Sequence, residues 1–109
     1  TGTAKDKVIE LNSSSRDIYI NGKLLAPPLA KRHFDVFELL YSNDGTVCSL
    51  QDIYKAGWEE DLYDKGTSDE AIQKVIRRIR DKIEANPSDP KYIKTYHGVG
   101  YRFDNPKPK

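Results

Sequence analysis

Apolar residues recur along this chain with two different periods, and each change of period marks a change of element. Val8-Ile9-Glu10-Leu11 and Asp17-Ile18-Tyr19-Ile20 alternate with a period of two, bracketed by the turn-formers Asn12-Ser13-Ser14-Ser15 and Asn21-Gly22. That pattern predicts two antiparallel strands. Lys23-Leu24-Leu25 adds a third short strand before Pro27-Pro28, so the chain opens with a β-meander of three or four strands. From Leu29 to Leu40 the period lengthens: Ala30, Phe34, Phe37 and Leu40, with Val36 and Leu39 beside them, fall at helical spacing until Asn43-Asp44-Gly45. Ser49-Leu50-Gln51-Asp52 reads as a capped start of a second, short helix, whose apolar face is Leu50, Ile53 and Tyr54.

The clearest periodicity lies further on. Ile72, Val75, Ile76, Ile79 and Ile83 form one stripe of a third helix, expected over 67–85. Thr67 with Glu70 three residues later has the form of a capping box, and Asn86-Pro87 ends the helix. The face opposite the stripe carries Gln73, Lys74, Arg77, Arg78 and Asp81, with Arg80 and Lys82 on its flanks. Such a face can follow phosphates and reach base edges. Tyr92 to Tyr96 and Tyr101 to Phe103 are short β-prone runs joined through His97-Gly98-Val99-Gly100, which predicts a hairpin with a tight tip.

At 109 residues and 37% hydrophobic content, one core and one domain are expected over 8–104. Residues 1–7 read as a linker remnant or cloning scar, and 105–109 as a flexible tail. No run approaches the roughly 20 apolar residues of a membrane span. The lone Cys48, between apolar neighbours, reads as a small buried hydrophobe and fits a reducing, cytoplasmic setting.

The net charge of +1 says little about partners, whereas its distribution says more. Residues 1–50 balance six cations against six anions; 51–73 hold two cations against seven anions; 74–109 hold ten cations against four anions. The positive end coincides with the third helix and the hairpin.

Catalysis finds no support. Gly98-Val99-Gly100 lies in a hairpin and does not open a helix, so it is no phosphate loop, and His33 and His97 are too far apart in sequence for a metal-ligand pattern. The carboxylates of 59–70 are consecutive or capping residues with no apolar pocket to perturb them. No enzyme, cofactor or metal is expected.

From about Val8 to Phe103 the chain resembles the C-terminal effector domain of bacterial response regulators of the OmpR/PhoB type. Four pieces carry the resemblance: Phe34 to Leu40; Gly45 to Ser49 with Trp58 downstream; Ile76 to Glu84; and Tyr92 to Phe103. The resemblance implies an α+β winged helix-turn-helix: the N-terminal meander, a three-helix core and a C-terminal β-hairpin wing. It implies sequence-specific binding of double-stranded DNA in transcription regulation, with the third helix in the major groove and the wing tip over an adjacent minor groove. Arg77, Arg78 and Arg80 match positions that contact phosphates or base edges, and Thr95 and Tyr101 match wing positions near the DNA backbone. Gln73, Lys74, Tyr96 and His97 complete the expected DNA-binding set.

Beyond this chain, the resemblance implies an upstream receiver domain in a phosphorelay, or another regulatory module in its place. It also implies tandem dimers on direct repeats and contact with RNA polymerase through the 59–66 loop, where Glu59, Glu60, Asp61 and Asp64 lie. The chain departs from the family at Asp69-Glu70, at Gln73 and Val75, and at His97, which replaces the wing's usual arginine. Asp69 and Glu70 suit a helix N-terminus but repel phosphate, and His97 attracts the minor groove less than arginine does. Modest, salt-sensitive binding is therefore expected. A second reading stays open: a degenerate winged helix serving as a protein-interaction module, with the acidic 59–70 segment as its working surface.

Overall fold

The isoleucine stripe is the spine of the molecule. A computed structural model describes residues 8–26, 28–58 and 65–105, without the side chains of 65–67. In it three helices, α1 (Lys31–Ser42), α2 (Leu50–Trp58) and α3 (Lys65–Ile83), pack between two small antiparallel sheets. Ile72, Val75, Ile76, Ile79 and Ile83 of α3 are all buried, against Phe34, Val36, Phe37 and Leu40 of α1 and Ile53 of α2. No helix among the described residues is long and apolar enough to cross a membrane.

The first sheet is the expected meander, with three strands in the order β1 (Ile9–Asn12), β2 (Asp17–Ile20), β3 (Lys23–Leu24). Alternation places Ile9 and Ile18 inside, as the period of two requires. The second sheet was only partly legible. Its order is β4-β6-β5, where β4 is Val47–Ser49, β5 Ile93–Tyr96 and β6 Gly100–Phe103. The hairpin was expected, but β4 was not, because three residues are too few for alternation to register. Pairing of Cys48 with Tyr101 makes β6 the central strand, and the wing is rooted beside the start of α2. Ser49 then caps α2 as expected, its Oγ accepting the Asp52 N–H at 3.1 Å, and the Leu50 N–H donates to the Val99 oxygen at the wing tip at 3.1 Å.

Three boundaries differ from expectation. α3 starts at Lys65, so Thr67 lies within its first turn and is not the cap. No proline bars the helix from extending upstream through Gly66, and Ser68, 2% exposed, continues the buried stripe one turn before Ile72. The helix closes at Ile83, not at residue 85. Asn105, expected in the tail, belongs to the fold: its Oδ1 accepts the Ile9 N–H at 3.1 Å, its Nδ2 donates to the Ile9 oxygen at 2.8 Å, and its own N–H donates to Asp44 Oδ1 at 3.0 Å. The amide thus satisfies the outer edge of β1 as a neighbouring strand would. Residues 1–7, the rest of the tail and the acidic residues Glu59, Glu60, Asp61 and Asp64 lie outside the described residues.

Two glycines of the wing are there for different reasons. A Cβ on Gly100 would sit 1.8 Å from the backbone oxygen of Cys48, so only glycine lets β4 and β6 approach. Gly98 has open space around it but a φ of +76°. Gly98→Ala should therefore cost about 1–2 kcal/mol of backbone strain. Gly100→Ala, which must push two paired strands apart, should cost more, at or above the top of the roughly 1–3 kcal/mol range for overpacking. Urea unfolding of the two variants checks the order, and equal costs would contradict it.

Candidate nucleic-acid interface

Helix α3 and the wing enclose an open groove of about 560 Å³. Gln73, Arg77, Arg80 and Asp81 line it from the helix, Pro87 and Ser88 from the turn that follows, and Thr95, His97 and Tyr101 from the wing. A smaller recess of about 80 Å³ continues toward the tip, between Asp69 and Gln73, Leu50 at the start of α2, and His97-Gly98. Six of the nine residues expected to face DNA therefore line the main groove, Gln73, Arg77, Arg80, Thr95, His97 and Tyr101, and Tyr96 borders only the recess.

The convergence conceals a division of labour. Gln73, Arg77 and His97 are exposed, and among the described residues no hydrogen bond or ion pair occupies Arg77. Arg80 is half-buried and engaged. Its Nε and Nη2 donate to the Ile93 oxygen at 3.2 and 2.8 Å, and Nη2 also donates to Thr95 Oγ1 at 2.8 Å. Its guanidinium carbon lies 5.8 Å from the centre of the Tyr101 ring. Burial pulls the Arg80 guanidinium below the ordinary arginine value, while Tyr101 and Glu84 act in the opposite direction. Tyr101, expected near the DNA backbone, is 6% exposed and forms part of the groove's floor. Burial pushes its phenol above the ordinary tyrosine value, Arg80 opposes that, and Asp69 adds to it. Both residues are drawn inward because Thr95 and Tyr101 are cross-strand partners on the side of the wing that faces α3.

The remaining three have their side chains outside the main groove. Lys74 stands on the outer face of α3, 3.9 Å from the Glu70 carboxylate, a fully solvated pair of little energetic weight. Tyr96, one residue from Thr95, falls on the opposite face of the wing, where the Arg102 guanidinium lies 5.2 Å from its ring and pairs with Asp104 at 2.9 Å. That hydrogen bond with Asp104 raises the Arg102 pKa. Arg78 is exposed on the α1 flank of α3: its charge is felt by His33, whose pKa is lowered first by burial, then by Arg78 and by Arg32. Arg77 and Arg78 are neighbours in sequence but are set about 100° apart around the helix.

One residue that organises the site was missed by the sequence reading. Glu84, 7% exposed at the end of α3, accepts the backbone N–H groups of Lys91, Tyr92 and Ile93 at distances from 2.7 to 3.2 Å. A signal was available: a carboxylate in the last turn of a helix opposes the macrodipole, so it needs donors from elsewhere.

A family model described as "Transcriptional regulatory protein, C terminal" matches residues 26–103. The uncharacterized transcriptional regulatory protein YcbL of Bacillus subtilis (strain 168) is 36% identical over 92% of this chain and 44% of its own length. Regulatory protein VanR of Enterococcus faecium is 32% identical over 86% of this chain and 39% of its length. The chain thus spans about two fifths of these relatives. Among solved structures, response regulator DrrB, a Thermotoga maritima OmpR/PhoB homolog, superposes with a TM-score of 0.73 at 30% identity, covering 89% of this chain and 42% of that one. The DNA-binding domain of Klebsiella pneumoniae RstA, solved in complex with RstA box, shares the fold with a TM-score of 0.75 at 22% identity, covering 91% and 93%.

The partial burial of His33, with Arg78 and Arg32 around it, has a consequence for stability. His33 releases its proton more readily folded than unfolded, so below the ordinary value of 6.5 the unfolded chain binds more protons. Stability from this residue is complete above that pH and is lost as acidification passes through it. His33→Asn should flatten the acid-side fall in the urea midpoint between pH 8 and pH 5. A fall of equal steepness in the variant would contradict the placement.

Proposed function

This chain belongs to the family of transcriptional regulatory protein C-terminal domains, and from that premise we propose that it is the DNA-binding output domain of a two-component response regulator. α3 enters the major groove of double-stranded DNA and the wing lies at the adjacent minor groove. The observation that carries this is the open groove between α3 and wing, with Arg77, unoccupied among the described residues, beside Gln73 on one wall and His97 on the other.

Arg77 has the planar fork that pairs with guanine O6 and N7 or with two phosphate oxygens, and the amide of Gln73 matches adenine N6 and N7. Lys74 and Arg78 extend the contact along the outer face, while Arg80, Thr95 and Tyr101 hold its geometry. The exposed carboxylate of Glu70 repels phosphate unless it accepts from a cytosine amino group, which favours a C-containing site. The proposal assigns the chain no catalytic role.

The relatives' greater length supports an upstream receiver or other regulatory domain, and the match to a transcriptional regulatory family supports action in the cytoplasm. Two further partners belong to the same proposal: RNA polymerase through the 59–66 loop, and a second copy bound in tandem on DNA.

With about four to six phosphates neutralised, log K should fall against log salt with a slope of about −4 to −5, which is about three to four decades between 50 and 300 mM. Fluorescence anisotropy on duplexes selected by the purified domain measures this slope. Charge reversal at Arg77 and Arg78 together should abolish retention. Binding that survives the reversal, or a flat salt response, refutes the proposal and favours a protein-interaction module.

A further inference from the structure

The groove has a fixed width only if the wing stands still relative to α3, and two side chains at the helix's C-terminal end, Arg80 within it and Glu84 just beyond it, hold it there. The Ile93 backbone is gripped on both sides of its Cα: its N–H donates to Glu84 Oε2 at 2.9 Å, and its oxygen accepts from Arg80 at 2.8 and 3.2 Å. The Glu84 carboxylate also takes the Tyr92 N–H at 3.0 and 3.2 Å and the Lys91 N–H at 2.7 Å, and Arg80 reaches on to Thr95 Oγ1 at 2.8 Å. Glu84 and Arg80 are four residues apart and so lie one above the other on the same side of the helix. Between them they hold the backbone from Lys91 to Ile93 and one side chain of β5. At the far end of the hairpin, the Leu50 N–H holds the Val99 oxygen.

The bonds made by Glu84 and Arg80 are charge-assisted; the one from the Ile93 N–H is buried and all the others except that to Thr95 are partly buried, which strengthens them over their fully solvated counterparts. They differ from core packing in being directional: an isoleucine face permits sliding, whereas a carboxylate shared by three N–H groups permits one register.

We propose that Glu84 and Arg80 are positioning residues for DNA recognition, locking the wing to α3 so that helix and hairpin meet adjacent grooves as a single rigid body. On this account Arg80 serves the wing and does not read a base, in contrast to Arg77 three residues earlier. The inference rests on the DNA-binding function proposed above, and its test separates the two.

Glu84→Gln places an amide NH2 among three N–H donors, and Arg80→Lys keeps the charge but cannot span Ile93 and Thr95 together. In both variants, at a temperature where unfolding curves show the domain folded, amide exchange at 91–93 should accelerate about tenfold or more. Affinity for duplexes selected by the wild-type domain should fall about tenfold, with the salt slope reduced by about one. Hydroxyl-radical protection on the minor-groove side should fade, while major-groove protection by α3 persists. If Glu84→Gln does not fold, Arg80→Lys carries the same expectations by itself. Wild-type affinity, slope and footprint in a folded Arg80→Lys variant would mean that Arg80 supplies only charge, and would overturn the proposal. Wild-type failure to select any duplex would sink the DNA-binding function and this inference with it, whereas binding that both variants keep unchanged sinks the inference alone.

Discussion

One helix has one circumference, and α3 must divide its own between the core, the wing and the solvent. At about 100° per residue, the apolar set from Ile72 to Ile83 uses a stripe of little over a quarter of the surface. Ser68 prolongs that stripe at one end of the helix, and Glu84 turns into the protein at the other, both nearly fully buried. What remains splits into the flank beside the wing, where Gln73, Arg77 and Arg80 lie, and the flank beside α1, where Arg78 acts on His33. The groove exists because the first flank is roofed by β5 and β6 and the second is not.

Burial sorts the cations on these flanks. A guanidinium taken partly out of water needs partners, and Arg80 has two backbone-directed bonds, a hydroxyl and the face of Tyr101. Arg77, one turn nearer the helix start and exposed, has none among the described residues and remains available to an anion. Residues of the same type within four positions of each other therefore differ in what the fold asks of them: one is engaged by the wing, the other is left exposed. The same sorting runs through the wing, where the side chains of Thr95 and Tyr101 turn toward α3 while Tyr96 and Arg102 pair on the other face.

Glycine and asparagine complete the frame at points where a side chain would obstruct it or a backbone group would be stranded. Gly100 lets β6 lie against Cys48, which brings the wing to the N-terminus of α2. Asn105 closes the edge of β1 and ties the first sheet to the end of the chain, so the meander is anchored to the same strand, β6, that carries the wing. Arg32 joins α1 to the end of α2 in a comparable way, donating to the Gly57 oxygen at 3.2 Å with its guanidinium 4.8 Å from the Trp58 ring.

The sequence by itself determined the number and order of the helices, the meander, the hairpin and the stripe of α3, because each announces itself as a local period in which every apolar residue repeats the same message. It also determined that the positive end of the chain coincides with α3 and the wing. Where two segments distant in sequence meet, no local period exists to be read. Only the tertiary structure decided that Val47–Ser49 would pair with β6, that Asn105 would bond to Ile9, and that α3 would begin at Lys65. It alone separated Arg77 from Arg80 and turned Glu84 inward, because whether a charged side chain is spent or free depends on which distant backbone groups arrive within hydrogen-bonding distance.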